Sequence, residues 1–289
     1  MGKTLADSFP EAARVFQEAD EALGFSLSRL CFEGPDDQLK LTENQQPALL
    51  TVSVAAHSVL MARGITPGYV AGHSLGEYSA LVAAGSLRFA DAVRLVRKRG
   101  QYMQQAVPAG VGAMAALLKL PADKLDSVLG DAAQGEIVTA ANLNSPGQIV
   151  IAGHSAAVKR AMELAKAAGA RAILLPVSAP FHCPLLKPAQ DQLKPDLDAT
   201  EFRDLTVPLI NNWKAREVRT GAEAREGLYQ QVPNPVRWSE SVALLASRGV
   251  TRFIEVGPGA VLTGLLRNID PALTGVKFGE TADWDKIPA

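Results

Sequence analysis

The five residues Gly72-His73-Ser74-Leu75-Gly76 constrain this chain more than any other stretch. They follow the short apolar run Tyr69-Val70-Ala71 and lead into Glu77-Tyr78-Ser79-Ala80-Leu81-Val82-Ala83-Ala84, which is rich in helix formers. A serine between glycines at a strand-to-helix junction is the sequence form of a nucleophile elbow. The glycines have a steric role, because a sharp turn that holds serine in a strained conformation needs neighbours without Cβ on its crowded side. The helix that follows aims its first N–H groups at the serine. Short Gly/Ser patterns also arise in ordinary turns, so the elbow requires support from the rest of the chain.

With 289 residues and a formal net charge of -1, the chain is long enough for a large core and carries no basic surplus that would point to nucleic acid or an anionic membrane. Its two cysteines, Cys31 and Cys183, lack metal-binding or redox spacing and read as buried thiols of a reducing compartment. No apolar run spans a bilayer and the first residues carry no signal pattern, so a cytoplasmic protein without a membrane partner is expected.

Pro10 to Leu23 reads as an amphipathic helix closed by Gly24. A second, more apolar helix is expected over Pro47 to Arg63, with Thr42 to Gln46 leading into it. Phe89 to Val107 reads as a third, with Arg99 in the middle of a stripe of Ala92, Leu95, Val96 and Met103. Between Gly112 and Ser178 the pattern becomes βαββαβ, with a hairpin across Asn144-Ser145-Pro146-Gly147. That order predicts a ferredoxin-like subdomain inserted at 111–178 into a large α/β domain formed by 1–110 and 179–289. Later segments restore an α/β pattern: a helix over Leu185 to Leu197, a strand at Val207 to Ile210, a helix over Ser239 to Ser247, a strand at Thr251 to Val256, and the turn Gly257-Pro258-Gly259 into a last helix.

A serine nucleophile needs a base and oxyanion donors. His73 neighbours Ser74 and points to the other face, so it supports the elbow. His57, in an apolar helix, and His154, at a strand end, read as structural. His182, in the Pro-punctuated loop Ala179-Pro180-Phe181-His182-Cys183-Pro184, is the best base candidate. No aspartate precedes it in a triad position, so a Ser–His dyad with a backbone carbonyl holding the imidazole tautomer is expected. Arg99 reads either as a snorkelling or carbonyl-capping arginine or as a receptor for a substrate carboxylate.

These motifs, with Arg99-Gly100, Asn144-Ser145-Pro146-Gly147-Gln148, Phe181-His182, Asn234-Pro235-Val236-Arg237-Trp238 and Glu255-Val256-Gly257-Pro258-Gly259, closely resemble the malonyl-CoA:acyl-carrier-protein transacylases of fatty acid synthesis. The resemblance spans essentially the whole chain. It implies an α/β-hydrolase-like large domain with the inserted ferredoxin-like subdomain. It also implies a ping-pong transfer from malonyl-CoA to acyl carrier protein, with no cofactor or metal of the chain's own and a monomeric enzyme. Under it, Ser74 is the nucleophile, His182 the base, and Arg99 the binder of the malonyl carboxylate. The Gln231 carbonyl orients His182, and the Leu75 N–H is an oxyanion donor. Gln46 lies near the pocket, and Phe181 crowds branched acyl groups. The family's N-terminal strand and Gly-Gln-Gly-Ser-Gln loop are not found ahead of Met1-Gly2, so a chain that begins at an internal methionine is expected, short of one oxyanion donor. Two other readings remain: a serine esterase of α/β-hydrolase type, and a catalytically impaired chain that binds the carrier protein without turnover.

Overall fold

The computed structural model describes residues 1–177 and 179–287. Ser178 and Pro288–Ala289, where two of the expected segments end, lie outside the described residues. Among the described residues, nine strands form three sheets. The first contains β1 (Val70–Ala71), β6 (Leu209–Ile210) and β7 (Glu217–Val218), in that order. β1 runs parallel to β6 and β7 antiparallel to it. The second contains β2 (Gly112–Leu118), β3 (Val138–Ser145), β4 (Gln148–His154) and β5 (Arg171–Leu174) in the order β3-β4-β2-β5, all antiparallel. The third pairs β8 (Arg252–Val256) with β9 (Thr274–Phe278) in parallel. A cavity of about 940 Å³ separates β1 from β8 and is lined by Leu49, His57, Val70, Phe253, Val256 and Leu265 among others.

The four-stranded sheet has the order and alternation of a ferredoxin-like unit. Its helices, Leu125–Ala133 and Ser155–Ala167, bury Val128, Ala132, Val158 and Ala161 with Leu117 and Ile151 from one sheet face. The other face presents Met114, Val150 and Ala152 to Cys183, with Phe181 and Leu185 packed alongside. The chain that follows the subdomain is therefore anchored on the sheet it has just left. Val236 extends β3 sideways: its N–H donates to the Ala141 carbonyl and its own carbonyl accepts from the Leu143 N–H, each at 2.9 Å.

The large unit is built on helices. Pro10–Leu23 ends at Gly24 in the left-handed conformation, as its sequence predicts. The apolar helix runs over Thr42–Ala62 rather than starting at Pro47, so Gln46 is helical and buried. Packing accounts for the difference. Gly100, on the helix Phe89–Gln105, lies so close to the backbone of Thr42 and Glu43 that a Cβ there would overlap them. This contact holds the extra turn despite the hydrogen bond that Pro47 removes. Three further elements carry little sequence signal: β7, β9 and the helix Gly221–Gln231.

Candidate active site

Ser74 closes β1 and opens the helix Gly76–Ala83 with φ 53°, a left-handed conformation that non-glycine residues seldom adopt. The elbow fits only because Gly72 lacks a side chain, since a Cβ there would overlap the carbonyl of Gly76. Ser74 Oγ lies 2.6 Å from His182 Nε2, and His182 Nδ1 donates to the Gln231 carbonyl at 3.0 Å. This carbonyl fixes the tautomer with Nε2 unprotonated and facing the serine. His182 is 3% exposed, and burial, reinforced by the positive charge of Arg99, pushes its pKa down to about 3. It therefore stays a neutral, proton-accepting imidazole down to mildly acidic pH.

Arg99 is 2% exposed and does not snorkel. One terminal nitrogen donates to Gln46 Oε1 at 2.6 Å; the other donates to Gln231 Oε1 at 3.0 Å and to Ser74 Oγ at 3.1 Å. Its Nε–H has no acceptor among the described residues. Burial lowers its pKa, yet guanidinium basicity is high enough to keep the charge, and the Tyr78 ring lies 5.6 Å from it. Glu77, fully buried on the next helical turn, has its pKa raised by burial to about 7. The serine thus sits beside a cation whose donors exceed its protein acceptors, an arrangement suited to an incoming carboxylate.

The Leu75 N–H donates to no group among the described residues and is free for an oxyanion. A cavity of about 340 Å³ opens at Ser74, His182 and Arg99, with Gln46, Met103 and Phe181 in its wall. The structure therefore brings together all seven residues singled out in the sequence: Ser74, His182, Arg99, Leu75, Gln46, Phe181 and Gln231. The other histidines have separate surroundings. His73 Nε2 lies 2.9 Å from Asn144 Oδ1 beside the Trp238 ring, His154 Nδ1 accepts the Ile137 N–H, and His57 is half-buried, away from the serine in the wall of the larger cavity. Both cysteines are free and buried.

Asn212, and the side chain of Gln231 as distinct from its carbonyl, were not assigned from sequence. Asn212 is fully buried; its Oδ1 accepts the Ser74 N–H and its Nδ2 donates to the Gly72 carbonyl, both at 2.7 Å. The Gln231 side chain donates to the Ser74 carbonyl at 2.9 Å and to Glu77 Oε2 at 2.8 Å. The available signal was the tandem Asn211-Asn212 just beyond a strand, where open α/β sheets place their sites.

The acyl transferase domain family model matches residues 1–285. The chain is 52% identical over 282 residues to a malonyl CoA-acyl carrier protein transacylase of Bacillus subtilis strain 168, covering 97% of this chain and 89% of that protein. It is 49% identical over 278 residues to one from Escherichia coli K12, covering 96% and 90%. Among solved structures, an acyl carrier protein S-malonyltransferase from Vibrio cholerae superposes with a TM-score of 0.97 at 46% identity, over 100% of this chain and 95% of that one. A malonyl-transacylase solved with a type II polyketide acyl-carrier protein superposes with a TM-score of 0.96 at 44% identity, over 99% and 93%. The alignments with the two curated relatives take in 97% and 96% of this chain and lend no support to the expected lack of an N-terminal strand and loop. This chain belongs to the acyl transferase domain family, and within it to the malonyl CoA-acyl carrier protein transacylases.

Proposed function

We propose that the chain transfers the malonyl group of malonyl-CoA to the phosphopantetheine thiol of acyl carrier protein through a malonyl ester on Ser74, in fatty acid synthesis. Ser74 Oγ attacks the thioester carbonyl while His182 Nε2 takes its proton, and the Leu75 N–H receives the developing oxyanion. Collapse breaks the C–S bond, and the departing CoA sulfur takes the proton from His182. In the second half the carrier thiol gives its proton to His182 and attacks the ester; collapse returns the proton to Ser74 Oγ. Arg99 holds the malonyl carboxylate throughout, with Gln46 and the Gln231 side chain fixing the plane of the guanidinium. Phe181 narrows the wall against a branch on the acyl group.

The observation that carries this reading is the buried Arg99 guanidinium at 3.1 Å from Ser74 Oγ. One methylene separates the carboxylate of malonate from its thioester, so receptor and nucleophile must be this close. A neutral ester has no use for that cation. The relatives named above favour transfer over both the esterase and the binding-only readings. In this reading the chain acts as a monomer in the cytoplasm, 1–110 and 179–289 form the acyltransferase unit around the 111–178 subdomain, and no metal or cofactor of its own takes part. Intact-mass measurement after mixing with malonyl-CoA tests it: one malonyl adduct is expected, absent in Ser74→Ala and discharged by holo acyl carrier protein. An adduct that survives Ser74→Ala, or one the carrier cannot discharge, refutes it.

A further inference from the structure

The left-handed conformation of Ser74 is not self-sustaining. Non-glycine residues in that region are strained and stay there only when their surroundings over-determine them. Three backbone groups of the elbow, the Gly72 carbonyl and the Ser74 N–H and carbonyl, are held by one buried cluster. Asn212 follows β6, which pairs in parallel with β1 at Val70↔Leu209 and Ala71↔Ile210. Where β1 bends into the elbow this ladder ends, and the Asn212 carboxamide continues it, bridging the Gly72 carbonyl and the Ser74 N–H as a neighbouring strand's backbone would. The Asn212 N–H in turn donates to Glu77 Oε2 at 3.0 Å. The same Glu77 oxygen accepts from the Gln231 amide nitrogen, which also donates to the Ser74 carbonyl at 2.9 Å and to Asn212 Oδ1 at 3.2 Å. Asn212, Glu77 and Gln231 are all fully buried.

The peptide bond is planar and trans, so the Leu75 N–H points opposite to the Ser74 carbonyl. Pinning that carbonyl into the cluster aims the Leu75 N–H out of it, toward the cavity. Pinning the Ser74 N–H sets the Cα–Cβ direction that brings Oγ to His182. We propose that Asn212 is a positioning residue for the acyl transfer, locking the elbow so that Ser74 Oγ and the Leu75 N–H face the same substrate carbonyl, with Glu77 as the buried post on which it is mounted. Asn212 touches no reacting atom. Its one contact with the carboxylate receptor formed by Arg99, Gln46 and Gln231 is the long 3.2 Å bond its Oδ1 accepts from the Gln231 amide, which keeps its shorter bonds to Glu77 and Ser74, so its effect falls on the chemical step.

The test rests on the Ser74 reading above, so parent and Ser74→Ala are run first; a parent without a Ser74-dependent adduct would sink that reading and not this one. Asn212→Ala and Asn212→Asp are then compared per folded molecule, with folding checked by circular dichroism. Single-turnover malonylation is followed by rapid-quench mass spectrometry. Malonyl-CoA affinity is measured by calorimetry on the Ser74→Ala background. An ångström of misplacement costs on the order of 100-fold in rate, so Asn212→Ala should acylate ~100-fold more slowly with affinity changed less than about threefold. Asp keeps the acceptor for the Ser74 N–H and loses the donor to Gly72, so it should recover about tenfold of that loss. Reaction with a small serine-directed fluorophosphonate, which has no carboxylate for Arg99, should slow in the same order. Acylation by Asn212→Ala at the parent rate, an affinity loss as large as the rate loss, or Asp no faster than Ala each overturns the proposal. If the alanine variant does not fold, Asn212→Asp decides: a roughly tenfold slower phosphonate reaction with affinity retained supports the proposal, and the parent rate overturns it.

Discussion

Replacing Arg99 by alanine separates substrate recognition from the chemistry beside it. The guanidinium is buried, has an unpaired Nε–H, and can turn donors now given to Gln46, Gln231 and Ser74 toward a carboxylate. Each charge-assisted hydrogen bond in such a site is worth about 1.5–3 kcal/mol, so two of them contribute roughly 3–6 kcal/mol. At about 1.4 kcal/mol per factor of ten, kcat/KM for malonyl-CoA should fall by ~150- to 20,000-fold. Acetyl-CoA has no carboxylate and loses only whatever loosening of the pocket both substrates share. Arg99 is also the second cause, after burial, of the depressed His182 pKa of about 3. Removing it moves that pKa up, and because the neutral imidazole is the active form, Arg99→Ala should lose acylation activity at a higher pH than the parent does. The assay is release of CoA thiol from malonyl- and acetyl-CoA from about pH 2.5, below the parent's limb near 3, up to about pH 8, with protein stability checked at each pH. Equal losses on the two substrates would refute the receptor assignment, and an unmoved acid limb would refute the electrostatic link between Arg99 and His182.

Gly72→Ala should cost more than 3 kcal/mol in urea unfolding, or abolish soluble expression, because its methyl group meets backbone that cannot move without losing the elbow. Cys31 and Cys183 are buried, with pKa values raised by burial to about 11, so a disulfide reagent at pH 8 should modify neither in the native protein and both once it is unfolded. Two buried groups give stability opposing pH slopes. His182, depressed from 6.5 to about 3, withholds a proton that the unfolded chain binds, so its contribution is lost as pH falls from 6.5 toward 3. Glu77, raised from 4.5 to about 7, holds a proton that the unfolded chain releases, so its contribution declines as pH rises from 4.5 through 7. Thermal denaturation of Glu77→Gln against the parent should show the variant gaining relative stability over pH 4.5–7; a constant difference would refute the Glu77 assignment.

The parts legible in sequence were those whose local signals agreed with their packing. The helix Pro10–Leu23 has its proline, stripe and terminal glycine in register, and the Asn144–Gly147 turn declares the hairpin. The dyad could be chosen because only one of four histidines stood in a loop able to fold back over the elbow. The first turn of the apolar helix was hidden because Pro47 signals a start, and contact with Gly100 overrides that signal. The helix Gly221–Gln231 has too little apolar stripe to stand out, although the Thr220 hydroxyl caps it at the Glu223 N–H, a pairing the sequence does display. Asn212 was invisible for a deeper reason. Its role depends on the carbonyl and N–H of residues more than a hundred positions away, and no periodicity encodes such a contact.

The loop bearing His182 lies with Phe181, Cys183 and Leu185 against one face of the inserted sheet, while its imidazole is tied to Gln231 in the other unit. The base is therefore shared property of two bodies. A swing of the sheet wide enough to enlarge the mouth would drag the imidazole off the serine, so for rigid-body movement access and reactivity oppose each other. Leu175, Val177 and Phe181 line the same cavity, and a change of rotamer there would widen it while the proton path stands still.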